Sequence, residues 1–258
     1  MTIANSTPRL LAGRVAVVTG AGRGNGRAIA IVLARAGAAV CVADIDQGNC
    51  ERAVEEIIAA GGRALAVKWD VSNEADATRA AAWVREQLGT VSILVNNAGI
   101  EGGGPIGSTD YVESWRRVLG VNLDGAMYAA NALNEDLRAS AGCIVNVASM
   151  MAMIGYQPGA SAYCAAKGAL VQWTRSLAIE LAPAGVRVNA VAPGFFETAM
   201  TEGTRADPAR LAYFESRTPM KRMGQPEELA NVVLFLVSPL ASYVTGVVLP
   251  VDGGLLAN

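Results

Sequence analysis

A chain of 258 residues, 52% of them hydrophobic, is long enough to bury a sizeable core, and an α/β protein of that length is commonly one domain, here 1–258. A net charge of −2 leaves no basic footprint of the kind nucleic-acid binding needs, so no nucleic-acid partner is expected. The four cysteines, Cys41, Cys50, Cys143 and Cys164, form no C-x-x-C pair, and the lack of histidine removes Ser-His-Asp and Cys-His hydrolysis together with histidine-ligated metal sites; no metal is expected.

Met1 to Arg14 holds no apolar core preceded by positive charge, so no signal peptide is read there and a cytoplasmic protein is the default. Val15-Ala16-Val17-Val18 then reads as a strand. It runs through the turn Thr19-Gly20-Ala21-Gly22-Arg23-Gly24-Asn25-Gly26 into a predicted helix from Arg27 to Ala36, closed by Gly37. Glycines at 20, 24 and 26 let the backbone turn tightly at the positive end of a helix dipole, where N–H groups can meet a diphosphate. Such turns also simply pack a helix closely on a strand. Ala38 to Ala43, ending at Asp44, is a second predicted strand. A helix over Asp46 to Ala60 stops at Gly61-Gly62, and Ala64 to Trp69 is a third strand ending at Asp70. Asn73 to Leu88 reads as a helix, Ser92 to Val95 as strand four, and Asn96-Asn97-Ala98-Gly99 as the loop beyond it. Strands alternating with helices predict an α/β, Rossmann-type, doubly wound parallel sheet covered on both faces.

Gly102-Gly103-Gly104-Pro105 reads as a mobile loop. Tyr111 to Ala139 is helical in pattern, in two pieces meeting near Gly120, and Ile144 to Val147 is strand five. A loop over Ser149 to Gly159 leads into a long helix, Ser161 to Leu181. Val186 to Val191 is strand six, ended by Pro193-Gly194. Residues 195–217 follow a strand's carboxyl end, where open α/β sheets bind ligands, and read as a substrate lid. Val232 to Val251 is free of charge over twenty residues, close to a membrane span. Pro239, Ser242, Thr245, Gly246 and Pro250 interrupt it, so the expectation is a buried helix ending near Val237, a turn and a short strand Val247 to Leu249, with no membrane partner.

Asp44 lies eighteen residues beyond Gly26, near the distance at which a dinucleotide site sets an acid against the ribose 2′-hydroxyl. A carboxylate there repels a 2′-phosphate and favours NAD. Arg23 argues for NADP, which is the less favoured reading. Tyr163 and Lys167 are four apart and share one helix face. An ammonium near a phenol stabilises the phenolate and lowers its pKa from about 10. Taken singly, each candidate has an ordinary structural use: a strand-ending acid, a solvated Tyr-Lys pair, a cap at Ser149 and a buried amide at Asn122.

Together these residues resemble the short-chain dehydrogenase/reductase family from Gly13 to Gly254. Thr19-Gly20-x-x-x-Gly24-x-Gly26 is similar to its nucleotide turn, Asn96-Asn97-Ala98-Gly99 to its strand-four motif and Tyr163-x-x-x-Lys167 to its active site. Pro193-Gly194, Thr198 and Val251-Asp252-Gly253-Gly254 match as well. The resemblance implies a catalytic tetrad. Tyr163 exchanges the alcohol proton, Lys167 lowers its pKa and holds the nicotinamide ribose, Ser149 bonds the substrate oxygen, and Asn122 anchors a water that leads protons out. It also implies cofactor contacts at Gly20, Gly22, Arg23, Gly24, Asn25, Gly26, Asp44 and Ile45, at Asp70 and Val71 by the adenine, at Asn97, Ala98 and Gly99, and at Pro193, Gly194, Phe196 and Thr198. A homotetramer is implied too. Asn25 stands where the family usually has an apolar residue, Phe196 where a smaller aliphatic is common, and the loop from Ser149 to Tyr163 is longer than the family's by about one residue.

Expected pocket residues are Glu101, Met150, Met151, Ile154, Tyr156, Gln157, Phe195 and Met200. Most are apolar, which suits a hydrophobic secondary alcohol or ketone, while Glu101 and Gln157 suit a polyol or sugar. The rival readings are an NADP-dependent 3-oxoacyl thioester reductase, for which no basic carrier-protein surface is evident, and a catalytically idle relative that senses dinucleotides or binds a protein.

Overall fold

The computed structural model describes residues 9–155 and 158–257, so the expectations for Tyr156 and Gln157 lie outside the described residues. Seven parallel strands form one sheet: β1 (Val15–Thr19), β2 (Ala39–Asp44), β3 (Arg63–Lys68), β4 (Ile93–Asn96), β5 (Cys143–Val147), β6 (Arg187–Pro193) and β7 (Val248–Val251), in the order β3-β2-β1-β4-β5-β6-β7. The period of two sorts their side chains between two cores. Ala16 and Val18 of β1 join Val40 and Val42 of β2 on one face, and Val15 and Val17 join Cys41 and Ala43 on the other. Burial on both faces is why these strands read as unbroken apolar runs.

Helices α1 (Gly24–Arg35), α2 (Gln47–Ala59) and α10 (Pro226–Val237) cover the first face; α3 (Glu74–Leu88), α5 (Gly125–Ala132), α6 (Asn134–Ala139) and α7 (Ser161–Leu181) cover the second, with α4 (Tyr111–Leu119) packed on α7. The strand order reverses between β1 and β4, which pair directly through Ala16 with Ile93 and Val18 with Val95. Their carboxyl ends open a crevice at the position where doubly wound sheets hold ligands.

Two local outcomes differ from the sequence expectation and a third adds detail to it. Helix α1 begins at Gly24 rather than Arg27, because the glycine turn itself supplies its first turn. The stretch expected to join near Gly120 does so through a π-helical turn, Gly120–Asp124, that carries Asn122, and α6 follows as a separate helix. Residues 195–217 are mostly helical, with a 3₁₀ turn Ala199–Thr201, α8 (Glu202–Arg205) and α9 (Pro208–Arg217). Helix α10 ends at Val237 as expected, and among the described residues no helix is long and apolar enough to cross a membrane.

Candidate active site

The crevice is a cleft of about 540 Å³. One wall is the glycine turn. Gly20 has φ 61°, and a Cβ on Gly26 would fall well inside contact distance of the Gly20 carbonyl and the Asn97 amide, so only glycine lets these backbones meet. Asn97 fastens the turn to β4 by donating to the carbonyl oxygens of Thr19 at 2.9 Å and Gly20 at 3.0 Å, and Thr19 Oγ1 accepts the N–H groups of Asn97 and Ala98, each at 3.1 Å. The first turn of α1 has neither a side-chain cap nor an acid, which leaves its N–H groups and positive dipole end open to an anion.

Beyond the turn, Asp44 ends β2. Its Oδ2 accepts the Gly22 N–H at 3.0 Å and its Oδ1 the Asp46 N–H at 3.1 Å, so the carboxylate is held against the turn. Gly22 itself does not line the cleft but backs it, where a Cβ would press on the Asp44 carboxylate and the Asn49 side chain. Arg23, Gly24, Asn25, Ile45, Asp70, Val71, Ala98 and Gly99 line the cleft, as do Pro193, Gly194, Phe196 and Thr198. Two buried polar atoms of the lining have no partner among the described residues: Asn25 Oδ1 and Trp69 Nε1. An uncapped helix start, a held carboxylate and an orphaned amide oxygen in one cleft fit a dinucleotide.

Ser149, Tyr163 and Lys167 meet in the same cleft. Ser149 caps the 3₁₀ turn Met150–Ala152, its Oγ accepting the Met151 N–H at 3.1 Å, and its hydroxyl also hydrogen-bonds toward Tyr163. Lys167 is 3% exposed and donates to the Val147 carbonyl at 2.8 Å, with Nζ 5.8 Å from the Tyr163 ring centroid. Burial pushes its pKa down to about 8. Burial likewise pushes the Tyr163 hydroxyl up to about 12; the Ser149 hydrogen bond opposes that rise and the Glu101 charge adds to it. In the unliganded chain burial therefore pushes the phenol in the opposite direction from the lowering expected of a nearby ammonium. Asn122, 1% exposed, stands behind the cleft wall, where its amide accepts the Ile100 N–H and donates to the Ile100 carbonyl, each at 2.8 Å.

Of the expected pocket residues, Glu101, Met150, Met151, Phe195 and Met200 line the cleft. Ile154 does not: the chain has left the wall after the 3₁₀ turn at 150–152. Sequence reading missed Trp69, Arg210 and Phe214 as lining residues. Phe214 packs against Phe195 with ring centroids 4.0 Å apart and the rings tilted by 44°, which the helical pattern of 208–217 could have suggested. Trp69 carried no signal beyond ending a strand.

A family model described as enoyl-(acyl carrier protein) reductase matches residues 20–256. A galactitol 2-dehydrogenase (L-tagatose-forming) of Cereibacter sphaeroides is 45% identical over 246 residues, 95% of each chain. Among solved structures, a gluconate 5-dehydrogenase from Burkholderia cenocepacia J2315 in complex with NADP and tartrate is similar at TM-score 0.91 and 34% identity, covering 97% of this chain and 98% of that one. A 7α-hydroxysteroid dehydrogenase complexed with NADH and 7-oxo glycochenodeoxycholic acid is similar at TM-score 0.91 and 35% identity, covering 97% of each chain.

Proposed function

The chain belongs to the short-chain dehydrogenase/reductase family, and from that premise we propose that Asn122, Ser149, Tyr163 and Lys167 are its working residues and NAD(H) its preferred coenzyme. It is an oxidoreductase that interconverts a secondary alcohol and a ketone on a small molecule, with a nicotinamide dinucleotide as hydride carrier. The observation that carries the residue assignment is the meeting of Ser149, Tyr163 and Lys167 in a cleft that also holds Asp44 and the open start of α1.

In this reading the bound dinucleotide supplies hydride transfer and, when oxidised, a positive ring charge. The chain does the rest. Tyr163 holds or accepts the alcohol proton on its hydroxyl, and Ser149 orients the substrate oxygen beside it. Lys167 is a buried cation whose charge favours the phenolate once the nicotinamide end is filled. Asn122 holds the backbone after β4 in register with these groups.

The preference for NAD rests on Asp44. Its carboxylate is fixed by two backbone N–H groups, whereas Arg23 is an exposed side chain at the turn with no partner among the described residues. A 2′-phosphate would meet the carboxylate at short range. The relatives' printed cofactors include both NADP and NADH, so the preference is argued from Asp44 and Arg23 alone.

Residues 195–217 act as a lid in this account, with Phe195, Met200, Arg210 and Phe214 along the cleft. A homotetramer in the cytoplasm is the working assembly; support for association comes from exposed Ile179 on α7 and exposed Leu240 and Tyr243 after α10. The assay that tests the whole reading is coenzyme-linked oxidation of polyols and cyclic secondary alcohols with NAD⁺ and NADP⁺ in parallel. Turnover of a secondary alcohol with NAD⁺ favoured is expected; binding of NADH without turnover of any alcohol or ketone would assign the chain to dinucleotide sensing instead.

A further inference from the structure

The amino ends of the strands, opposite the site described above, hold a second cleft of about 350 Å³. Val15, Ala39 and Arg63, the first residues of β1, β2 and β3, line it, and so do the carboxyl ends of α1 at Arg35 and α3 at Leu88. Four arginines stand in this lining, Arg9, Arg14, Arg35 and Arg63, and among the described residues no acid does. Residues 1–8, which precede Arg9, contain no Asp or Glu either. Two of the arginines are anchored. Arg14 donates through Nε to Ser92 Oγ at 2.9 Å and through Nη2 to the Ser92 carbonyl at 3.0 Å, and Arg63 donates through Nη2 to the Gln87 carbonyl at 3.0 Å. A guanidinium carries five N–H donors, so both keep donors in hand. Among the described residues no hydrogen bond or ion pair engages the side chain of Arg9 or Arg35.

The ordinary use of a basic side chain at a helix end is to bond the last carbonyls. Backbone already closes them here: Gly37 N–H bonds Ala34 and Ala38 N–H bonds Leu33 after α1, and Gly61 N–H bonds Ile58 and Gly62 N–H bonds Ile57 after α2. The three helix ends bring about half a negative charge each, which four guanidinium charges exceed. A Cβ on Gly13 or Gly61 would meet nothing within 4 Å, so the backbone edge of the cleft is open to a ligand. Guanidinium forks match carboxylate and phosphate oxygens alike. A phosphoryl group spreads up to two charges over three oxygens and can meet several forks at once, whereas a carboxylate has one charge and two oxygens. The volume lies at the low end of small-molecule clefts. We propose that this cleft is an anion site that binds the phosphoryl group of a small phosphorylated molecule, separate from the dinucleotide cleft and independent of the reaction assigned to it.

The test is calorimetric titration of the full chain with glycerol 3-phosphate, glycerol and citrate, with NADH present at saturation so that the glycine turn is filled. Glycerol 3-phosphate should bind at one site per chain and glycerol, which lacks the phosphoryl group, should not. Arg35→Gln and Arg63→Gln should each weaken binding about tenfold, the scale of one charge-assisted hydrogen bond, and Arg35→Lys, which keeps the charge, should lose less. Both side chains are exposed, so the variants should keep the wild-type denaturation midpoint and NADH affinity, which separates lost recognition from lost folding. Raising the salt concentration should weaken the binding. Glycerol 3-phosphate giving no more heat than glycerol overturns the proposal, and so does binding that both glutamine variants leave unchanged or that NADH displaces. Citrate binding as tightly as glycerol 3-phosphate overturns the phosphoryl assignment. None of these outcomes bears on alcohol oxidation at the other end of the sheet.

Discussion

The Asn122 amide grips both backbone groups of Ile100, each hydrogen bond at 2.8 Å, and so joins a π-helical turn to the loop beyond β4. Asn122→Leu would leave an N–H and a carbonyl unpaired beside a side chain that is 1% exposed. The expected cost is about 2 to 4 kcal/mol, read from the denaturation midpoint, with turnover lowered because the loop carrying Glu101 is released. Asn122→Asp keeps the acceptor and loses the donor, so a smaller loss is expected. An unchanged midpoint in Asn122→Leu would show that this latch is unimportant to the fold.

Asp44 should set the coenzyme preference. With its carboxylate fixed by the N–H groups of Gly22 and Asp46, wild type is expected to use NAD⁺ over NADP⁺, and Asp44→Ala to lower that ratio by about tenfold or more. Comparable kcat/KM for the two coenzymes in wild type would mean that Arg23 governs the choice.

Lys167 should make the unliganded protein sensitive to alkaline pH with a definite sign. Burial lowers its folded pKa to about 8 from an ordinary value of 10.5, so between those values the unfolded chain binds more protons than the folded one. Stability from this group therefore rises with pH across that window and is lost as pH falls through about 8, on the order of 3 kcal/mol in all. Buried cysteines titrate nearby, so the measurement is the difference between wild type and Lys167→Met. The variant's stability relative to wild type should be greatest below pH 8 and shrink toward pH 10.5; a difference that does not vary with pH would contradict the buried-cation assignment.

Gly26→Ala should damage the turn directly, since its Cβ would collide with the Gly20 carbonyl. A stability loss of about 1 to 3 kcal/mol and weaker NADH binding are expected, measured by denaturation and by coenzyme fluorescence.

The sheet was legible in the sequence because strands buried on both faces spell themselves as apolar runs such as Val15 to Val18, and the glycine turn because only glycine tolerates the approach at Gly26. The cleft lining around Asp44, Tyr163 and Lys167 followed from motif order. What escaped was whatever depends on packing between distant segments. Helical periodicity shows Asn122 as an amide on an apolar face, but its partner, Ile100, is twenty-two positions away. Spacing brought Tyr163 and Lys167 to one helix face, yet burial, which spacing does not report, moves the tyrosine in the opposite direction from the one the lysine alone would give. Ile154 follows the pocket residues Met150 and Met151 in the chain, but the short 3₁₀ turn ahead of it takes it away from the wall.

The most direct measurement is turnover and coenzyme binding in Tyr163→Phe, which removes one hydroxyl from the cleft. Alcohol oxidation is expected to fall by at least about a hundredfold while NADH binds with nearly unchanged affinity. Undiminished turnover in that variant would contradict the assignment of Tyr163 as the group that exchanges the alcohol proton.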